Sequence, residues 1–272
     1  MTIQEALKEA STRLQNPKEA RILLAHHLKV DRVKLIMIEA QVLPDADNFW
    51  ALVTRAKAHE PIEYITQSVS FYAREFHIQK GALIPRPESE ILVDKTIAIA
   101  KDIPAPHIAE IGVGSGIISI MIALLLDDVA ITASDISKDA LAIAKINAKR
   151  LGVEDKITFI HTPYLQNIDQ KFDIIVSNPP YIAQEAPLEK NLSYEPDIAL
   201  FGGEVGDEIL KEIIDITSTH EETTLCCEMG YDQKNALQSY LIQSGYHDIH
   251  FYQDLSGLDR GFTAKTGAYH RS

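Results

Sequence analysis

Residues 177–181 read Ser-Asn-Pro-Pro-Tyr and follow an apolar run, Phe172-Asp173-Ile174-Ile175-Val176. Asn178 offers an amide oxygen as an acceptor. Pro179 and Pro180 lack N–H groups and hold the chain stiff, so a main-chain carbonyl can face a ligand. Tyr181 offers a ring face. Two acceptors and a ring match a planar NH2 group. Acceptors of this kind orient the nitrogen and support the positive charge that grows as it attacks a methyl sulfonium. No base is needed beforehand, because the alkylated nitrogen becomes acidic and sheds its proton afterwards.

A second stretch supplies a place for the methyl donor. Ala109-Glu110-Ile111 runs into Gly112-Val113-Gly114-Ser115-Gly116. Glycines allow a tight turn and close approach of a ligand to the main chain. The spacing is G-x-G-x-G, which differs from the dinucleotide pattern G-x-G-x-x-G. Asp135 follows 19 residues after Gly116, at the end of the next apolar run. An acid there can accept both hydroxyls of a ribose. Residues 102–137 hold no Lys or Arg to meet a pyrophosphate. The pocket therefore suits a nucleoside without phosphates, with S-adenosylmethionine the leading candidate.

The elements that must position these residues alternate. Strands are predicted at 107–111, 130–134, 156–160, 172–177 and 224–229, with helices at 116–126, 138–151, 207–217 and 232–243. Such alternation means an α/β fold with a mostly parallel, doubly wound sheet. The last two strands, 247–253 and 262–266, have too little chain between them for a crossover helix and should be antiparallel. Upstream, Ile84-Pro85-Arg86-Pro87-Glu88 forms a stiff corner before a helix at 89–101. Residues 62–65 and 69–78 carry β-type side chains and read as a connecting hairpin. Before them the chain is helical. Asn16-Pro17-Lys18-Glu19 is a helix start, Asp31 can cap a short helix through Ile38, and Phe49, Leu52, Val53 and Ala56 make an apolar stripe. His26, His27 and Trp50 lie on or beside these faces and read as packing residues.

Net charge is −13, and it is unevenly spread. Residues 1–70 hold nine basic and nine acidic side chains, so the remaining 17 basic and 30 acidic groups carry the whole imbalance. That disfavours a domain gripping a nucleic-acid backbone. No apolar run has the length of a membrane span, and the N-terminus lacks a secretory apolar block. The adjacent Cys226 and Cys227 read as buried thiols in a reducing cytoplasm. No residues stand at metal-ligand spacing. These features predict a cytoplasmic monomer.

The motif Ser177-Asn178-Pro179-Pro180-Tyr181, with Glu110-Ile111-Gly112-Val113-Gly114-Ser115-Gly116 upstream, resembles class I S-adenosylmethionine-dependent methyltransferases that act on a planar amino or amide nitrogen. DNA adenine methyltransferases and some ribosomal RNA methyltransferases share it. Further stretches narrow the resemblance: 61–65, 71–76, 83–90, Ala199-Leu200-Phe201-Gly202-Gly203, and 254–260. Together they resemble the peptide chain release factor N5-glutamine methyltransferases, over nearly the whole chain.

The resemblance implies a seven-stranded Rossmann-like methyltransferase domain at 84–272, the hairpin at 63–83 and a substrate-docking helical bundle at 1–62. It implies that Glu110, Gly112, Val113, Gly114, Ser115 and Gly116 surround the methionine end of the cofactor and that Asp135 holds the ribose. Asn178, Pro179, Pro180 and Tyr181 would bind the glutamine amide, with Asn178 also beside the cofactor. The substrate would be the glutamine of the Gly-Gly-Gln loop of class I release factors, and the methylation would modulate translation termination. Thr162 stands where the family often has an acid and Pro163 where an aromatic is common, so the adenine contact falls to Pro163 and Tyr164. The rival readings are an exocyclic amino methyltransferase of adenine in DNA or of ribosomal RNA, and a non-catalytic module that binds the cofactor and a partner protein.

Overall fold

The computed structural model describes residues 1–267; the last five residues of the domain expected at 84–272 lie outside the described residues. The chain divides into two units, one made of residues 1–68 with 188–194 and the other of 69–187 with the chain from Glu195 onward.

The smaller unit is helical: α1 (Ile3–Leu14), α2 (Pro17–Leu28), α3 (Arg32–Met37), α4 (Ala46–Lys57) and α5 (Ile62–Thr66). Local chemistry starts each of the first three. Thr2 and Glu5 form a reciprocal capping box on α1, Asn16 accepts from the N–H groups of Lys18 and Glu19, and Asp31 accepts from Lys34 N–H. Their apolar stripes meet in a core of Ile3, Leu23, Leu24, Leu35, Phe49 and Val53. The packing roles read for His27 and Trp50 hold: the His27 ring lies 5.7 Å from that of Phe49, and Arg13 stacks 4.2 Å over Trp50. Residues 62–65 correct the expected strand. They form α5, because the Pro61 carbonyl accepts from the N–H groups of both Tyr64 and Ile65, and Ile65 is drawn into the helical core. Burial overrides the β preference of these side chains.

From Val69 the larger unit opens in a two-stranded hairpin, β1 (Ser68–Phe71) and β2 (Arg74–His77), turned by Tyr72 and Ala73, both at positive φ. There follow α6 (Ser89–Ala100), β3 (His107–Ile111), α7 (Ile117–Leu125), β4 (Ala130–Asp135), α8 (Lys138–Leu151), β5 (Ile157–His161) and β6 (Ile174–Ser177). After them come a short pair, β7 (Ile182–Ala183) and β8 (Phe201–Gly203), then α9 (Glu208–Ser218), β9 (Thr224–Glu228), α10 (Lys234–Gln243), β10 (His247–Gln253) and β11 (Asp259–Lys265). The main sheet has seven strands in the order β10-β11-β9-β6-β3-β4-β5. Neighbours from β9 to β5 pair in parallel, and β11 is antiparallel to both β9 and β10. The expected α/β sheet and antiparallel closing pair are thus present. Cys226 and Cys227 are buried in β9. The sequence pattern gave no sign of β7 and β8, which are two and three residues long. No described helix is long and apolar enough to cross a membrane.

The chain leaves β3 to build β4 and β5 on one side, then returns to place β6 on the other. The carboxyl ends of β3 and β6 therefore flank the point where strand order reverses, and a crevice opens there. The glycine turn follows β3, and Asn178 follows β6.

Candidate active site

Gly112, Gly114 and Gly116 all take positive φ, at 74°, 54° and 85°. Their surroundings divide them. A methyl group on Gly112 or Gly114 would meet nothing within 4 Å, whereas one on Gly116 would sit 3.0 Å from Cβ of Ala144 in α8. The turn is tied on both sides. Gly112 and Val113 donate to the Ser134 carbonyl at 2.9 and 3.0 Å. Asn147 in α8, fully buried, donates from Nδ2 to the carbonyls of Ser115 and His77, each at 2.9 Å, and accepts from His77 N–H at 2.7 Å. That amide locks the hairpin to the glycine turn, and nothing in the local sequence pattern marks it.

Asp135 closes β4 with its carboxylate facing the turn. One oxygen accepts from Gly114 N–H at 2.9 Å and the other from Ser137 N–H at 2.8 Å. Burial raises its proton affinity, and the Ser137 and Gly114 N–H groups act against the rise. The N-cap of α8 is Ser137, whose hydroxyl accepts from Ala140 N–H, so the Asp135 carboxylate is not the helix cap. Glu110 on β3 is fully buried, and Oε2 accepts from both the N–H and the hydroxyl of Ser119. Burial pushes its carboxyl up to about 8.

Asn178 is half-buried and donates from Nδ2 to Ser89 Oγ at 2.9 Å. Ser89 Oγ donates in turn to Glu228 Oε2 at 2.7 Å, and the Tyr181 hydroxyl donates to Glu228 Oε1 at 3.3 Å. Glu228 is 2% exposed, at the end of β9; burial pushes it up to about 7 despite these donors and nearby Arg260. Backbone packs directly behind this segment, where the carbonyl of Pro180 lies against Gly202 of β8. The stiff corner read at 84–88 is held from within: Glu195 accepts from Ile84 N–H at 2.8 Å and pairs with Arg86.

One cavity of about 280 Å³ collects these residues. Glu110, Gly112, Val113, Gly114, Ser115, Asp135, Pro163, Tyr164, Asn178, Pro179 and Pro180 all line it. Two expected site residues do not. Gly116 is turned to the α8 contact. Tyr181 packs its ring against the sheet core and directs its hydroxyl to Glu228, so its ring face is not offered to the cavity. Thr162 is also withdrawn: its N–H donates to the Asp135 carbonyl and its hydroxyl to Gln166 O. Ser89 and Arg86 line the cavity, as do Ile117, Ile118, Ile136 and Ile198, which make its walls largely apolar. Among the described residues no group of three His, Cys, Asp or Glu side chains is placed to hold a metal ion.

Glu110 and Glu228 set a pH dependence of stability. Their ordinary value is 4.5, and the fold raises both. The stability that accompanies each is full below 4.5 and is lost as pH rises through about 7 for Glu228 and about 8 for Glu110. Denaturant unfolding of the protein without cofactor should show a loss between pH 5 and 8.5. In Glu110→Gln that loss should shrink by about 3–5 kcal/mol. An unchanged pH slope in the variant would refute the assignment.

A seven-stranded sheet with one antiparallel strand, a glycine turn after β3 and an acid closing β4 define a class I methyltransferase fold. Residues 89–193 match the methyltransferase small domain, and residues 3–66 match the PrmC N-terminal domain. The chain is 32% identical over 283 residues to a release factor glutamine methyltransferase of Clostridium acetobutylicum, with 98% of this chain and 99% of that protein aligned. It is 36% identical over 270 residues to a bifunctional methyltransferase of Rickettsia typhi, covering 89% of this chain and 52% of that protein, about half its length. A ribosomal protein L11 methylase from Lactobacillus delbrueckii subsp. bulgaricus shares the fold, with a TM-score of 0.53 and 22% identity over 70% of this chain and 84% of that one. The chain belongs to the release factor glutamine methyltransferase family.

Proposed function

We propose that this protein transfers a methyl group from S-adenosylmethionine to the side-chain amide nitrogen of the glutamine in the Gly-Gly-Gln loop of class I release factors, and so modulates translation termination. The observation that carries this reading is that Asn178, Pro179 and Pro180 line the same cavity as the glycine turn and Asp135. The donor set suits the cofactor. Asp135 offers carboxylate oxygens to ribose hydroxyls, the apolar walls suit a base and a thioether chain, and the basic side chain that lines the cavity, Arg86, is paired with Glu195. Among the described residues the lining therefore offers no unpaired cation to match a pyrophosphate.

When bound, S-adenosylmethionine supplies an electrophilic methyl on a sulfonium. The chain's own groups orient the nucleophile. Asn178 Oδ1 and the Pro179 carbonyl accept the two amide hydrogens of glutamine, which aims the nitrogen lone pair away from them and toward the methyl. The same two acceptors stabilise the positive charge that the nitrogen gains in transfer. One N–H proton then leaves to water. We assign the helical unit, residues 1–68 with 188–194, to docking of the release factor.

The full chain incubated with a class I release factor and methyl-labelled cofactor should label the factor once. A factor with the loop Gln→Ala change should take no label. Full labelling of that variant, or labelling of protein-free DNA or RNA instead, would refute the reading.

A further inference from the structure

We propose that Ser89 and Glu228 are positioning residues whose hydrogen-bond chain decides which end of the Asn178 amide faces the substrate. The inference rests on the role given to Asn178 above.

Hydrogen-bond polarity fixes the direction of this chain. An ionised Glu228 can only accept. Ser89 has a single hydroxyl proton and directs it to Glu228 Oε2 at 2.7 Å. Its lone pairs are then left to accept, and they take Nδ2–H of Asn178 at 2.9 Å. With Nδ2 held there, Oδ1 is the end turned from Ser89 toward the cavity that Asn178 lines. An acceptor aimed at the cavity is what an incoming NH2 requires. The inverted amide would present a donor to a donor.

The fold makes the chain rigid. Ser89 is the first residue of α6 and is fully buried, and its own N–H is engaged by the Arg86 carbonyl at 3.1 Å. Glu228 ends β9 beside β6, where Cys227 is in register with Ser177, the residue before Asn178. The Tyr181 hydroxyl takes the second carboxylate oxygen. Three elements distant in the chain therefore meet in one line that ends at the reacting group.

The same polarity can invert. A protonated Glu228 carries a proton of its own, which it can give to Ser89. The Ser89 hydroxyl is then released to donate to Asn178 Oδ1, and the amide turns over. The groups around Glu228 are Glu88 at the start of α6, Arg260 on β11, Tyr252 on β10, Tyr181 after β6, and Cys227 on its own strand. Burial favours the neutral acid and pushes it up to about 7, Ser89, Tyr181 and Arg260 favour the ionised state, and Glu88 opposes it. Methyl transfer should accordingly fall on the acid side of neutrality.

The test compares wild type, Ser89→Ala, Ser89→Thr, Glu228→Gln and Asn178→Ala, each as the full chain acting on a class I release factor with methyl-labelled cofactor. Parameters are read from pH 5.5 to 9, with cofactor affinity and melting temperature measured in parallel. Ser89→Ala should lower kcat about 10- to 100-fold with cofactor affinity retained, and Ser89→Thr, which keeps the hydroxyl, should restore most of it. Glu228→Gln should also lower kcat and should abolish the acid limb of the profile. Ser89→Ala at wild-type kcat, or an unchanged acid limb in Glu228→Gln, would overturn the proposal. If Glu228→Gln fails to fold, the Ser89→Ala and Ser89→Thr pair decides alone. Loss of activity in Asn178→Ala with both partners' variants at wild-type rate defeats the relay only. Wild-type activity in Asn178→Ala defeats the role of Asn178 itself.

Discussion

Asn178→Ala is expected to lower kcat for release factor methylation by about 10³-fold or more while leaving cofactor affinity within a factor of about three. The change removes one of the two acceptors assigned to the substrate amide, and it touches neither Asp135 nor the glycine turn. The nitrogen then loses both its aim and the dipole that supports its growing charge. The loss belongs in kcat, because the rest of a large protein substrate still docks. Folding should suffer little. Asn178 is half-buried, and among the described residues its side chain bonds to Ser89 alone, so about 1 kcal/mol is at stake. Single-turnover methyl transfer and a melting curve on the same preparation separate the two effects. A kcat within tenfold of wild type would remove Asn178 from the reaction.

Gly202→Ala should be nearly as damaging, by a different route. A methyl group there would lie 2.5 Å from the carbonyl oxygens of both Pro180 and Gly206, and 3.0 Å from Cα of Tyr181. All three are backbone atoms, so no side chain can swing away. The β7–β8 pair must part, and the segment carrying Pro179 and Pro180 must move. A shift of roughly 1 Å at a reacting group costs about 10²-fold in rate. Overpacking at such a contact costs about 1–3 kcal/mol of stability. The glycine turn belongs to other strands, so cofactor binding should persist. Calorimetric titration with the cofactor, melting and turnover together give the pattern. A variant with wild-type kcat and melting temperature would show that the close approach at Gly202 is dispensable.

This role for Gly202 shows where sequence reading stopped. The run Ala199-Leu200-Phe201-Gly202-Gly203 carries part of the family resemblance, yet the physical demand for Gly202 is a contact with a carbonyl 22 residues earlier in the chain. Ser89 and Glu228 are the stronger case. They bond across a separation of 139 residues, and Asn178 reaches Ser89 across 89. Glu228 ends a run that reads only as a buried strand, and Ser89 looks like a helix start. The expected ring face of Tyr181 failed for the same reason. Side-chain type says what a group can do, but direction depends on neighbours from other strands.

Alternating apolar runs, caps and turn residues were enough to set out the strands, the helices and the acid that closes β4, because those signals act over a few residues and repeat with the period of the element they build. The proline pair and the glycine spacing likewise limited the chemistry, since backbone stiffness and freedom belong to the residues themselves. What had to wait for the folded chain was polarity and aim: that Gly116 packs on Ala144, that Tyr181 turns to Glu228, and that the Asn178 amide gives its Nδ2 to Ser89. Hydrogen-bond direction is a property of a closed set of partners. Here the partners come from α6, β6 and β9, and only the parallel sheet order brings those three ends together.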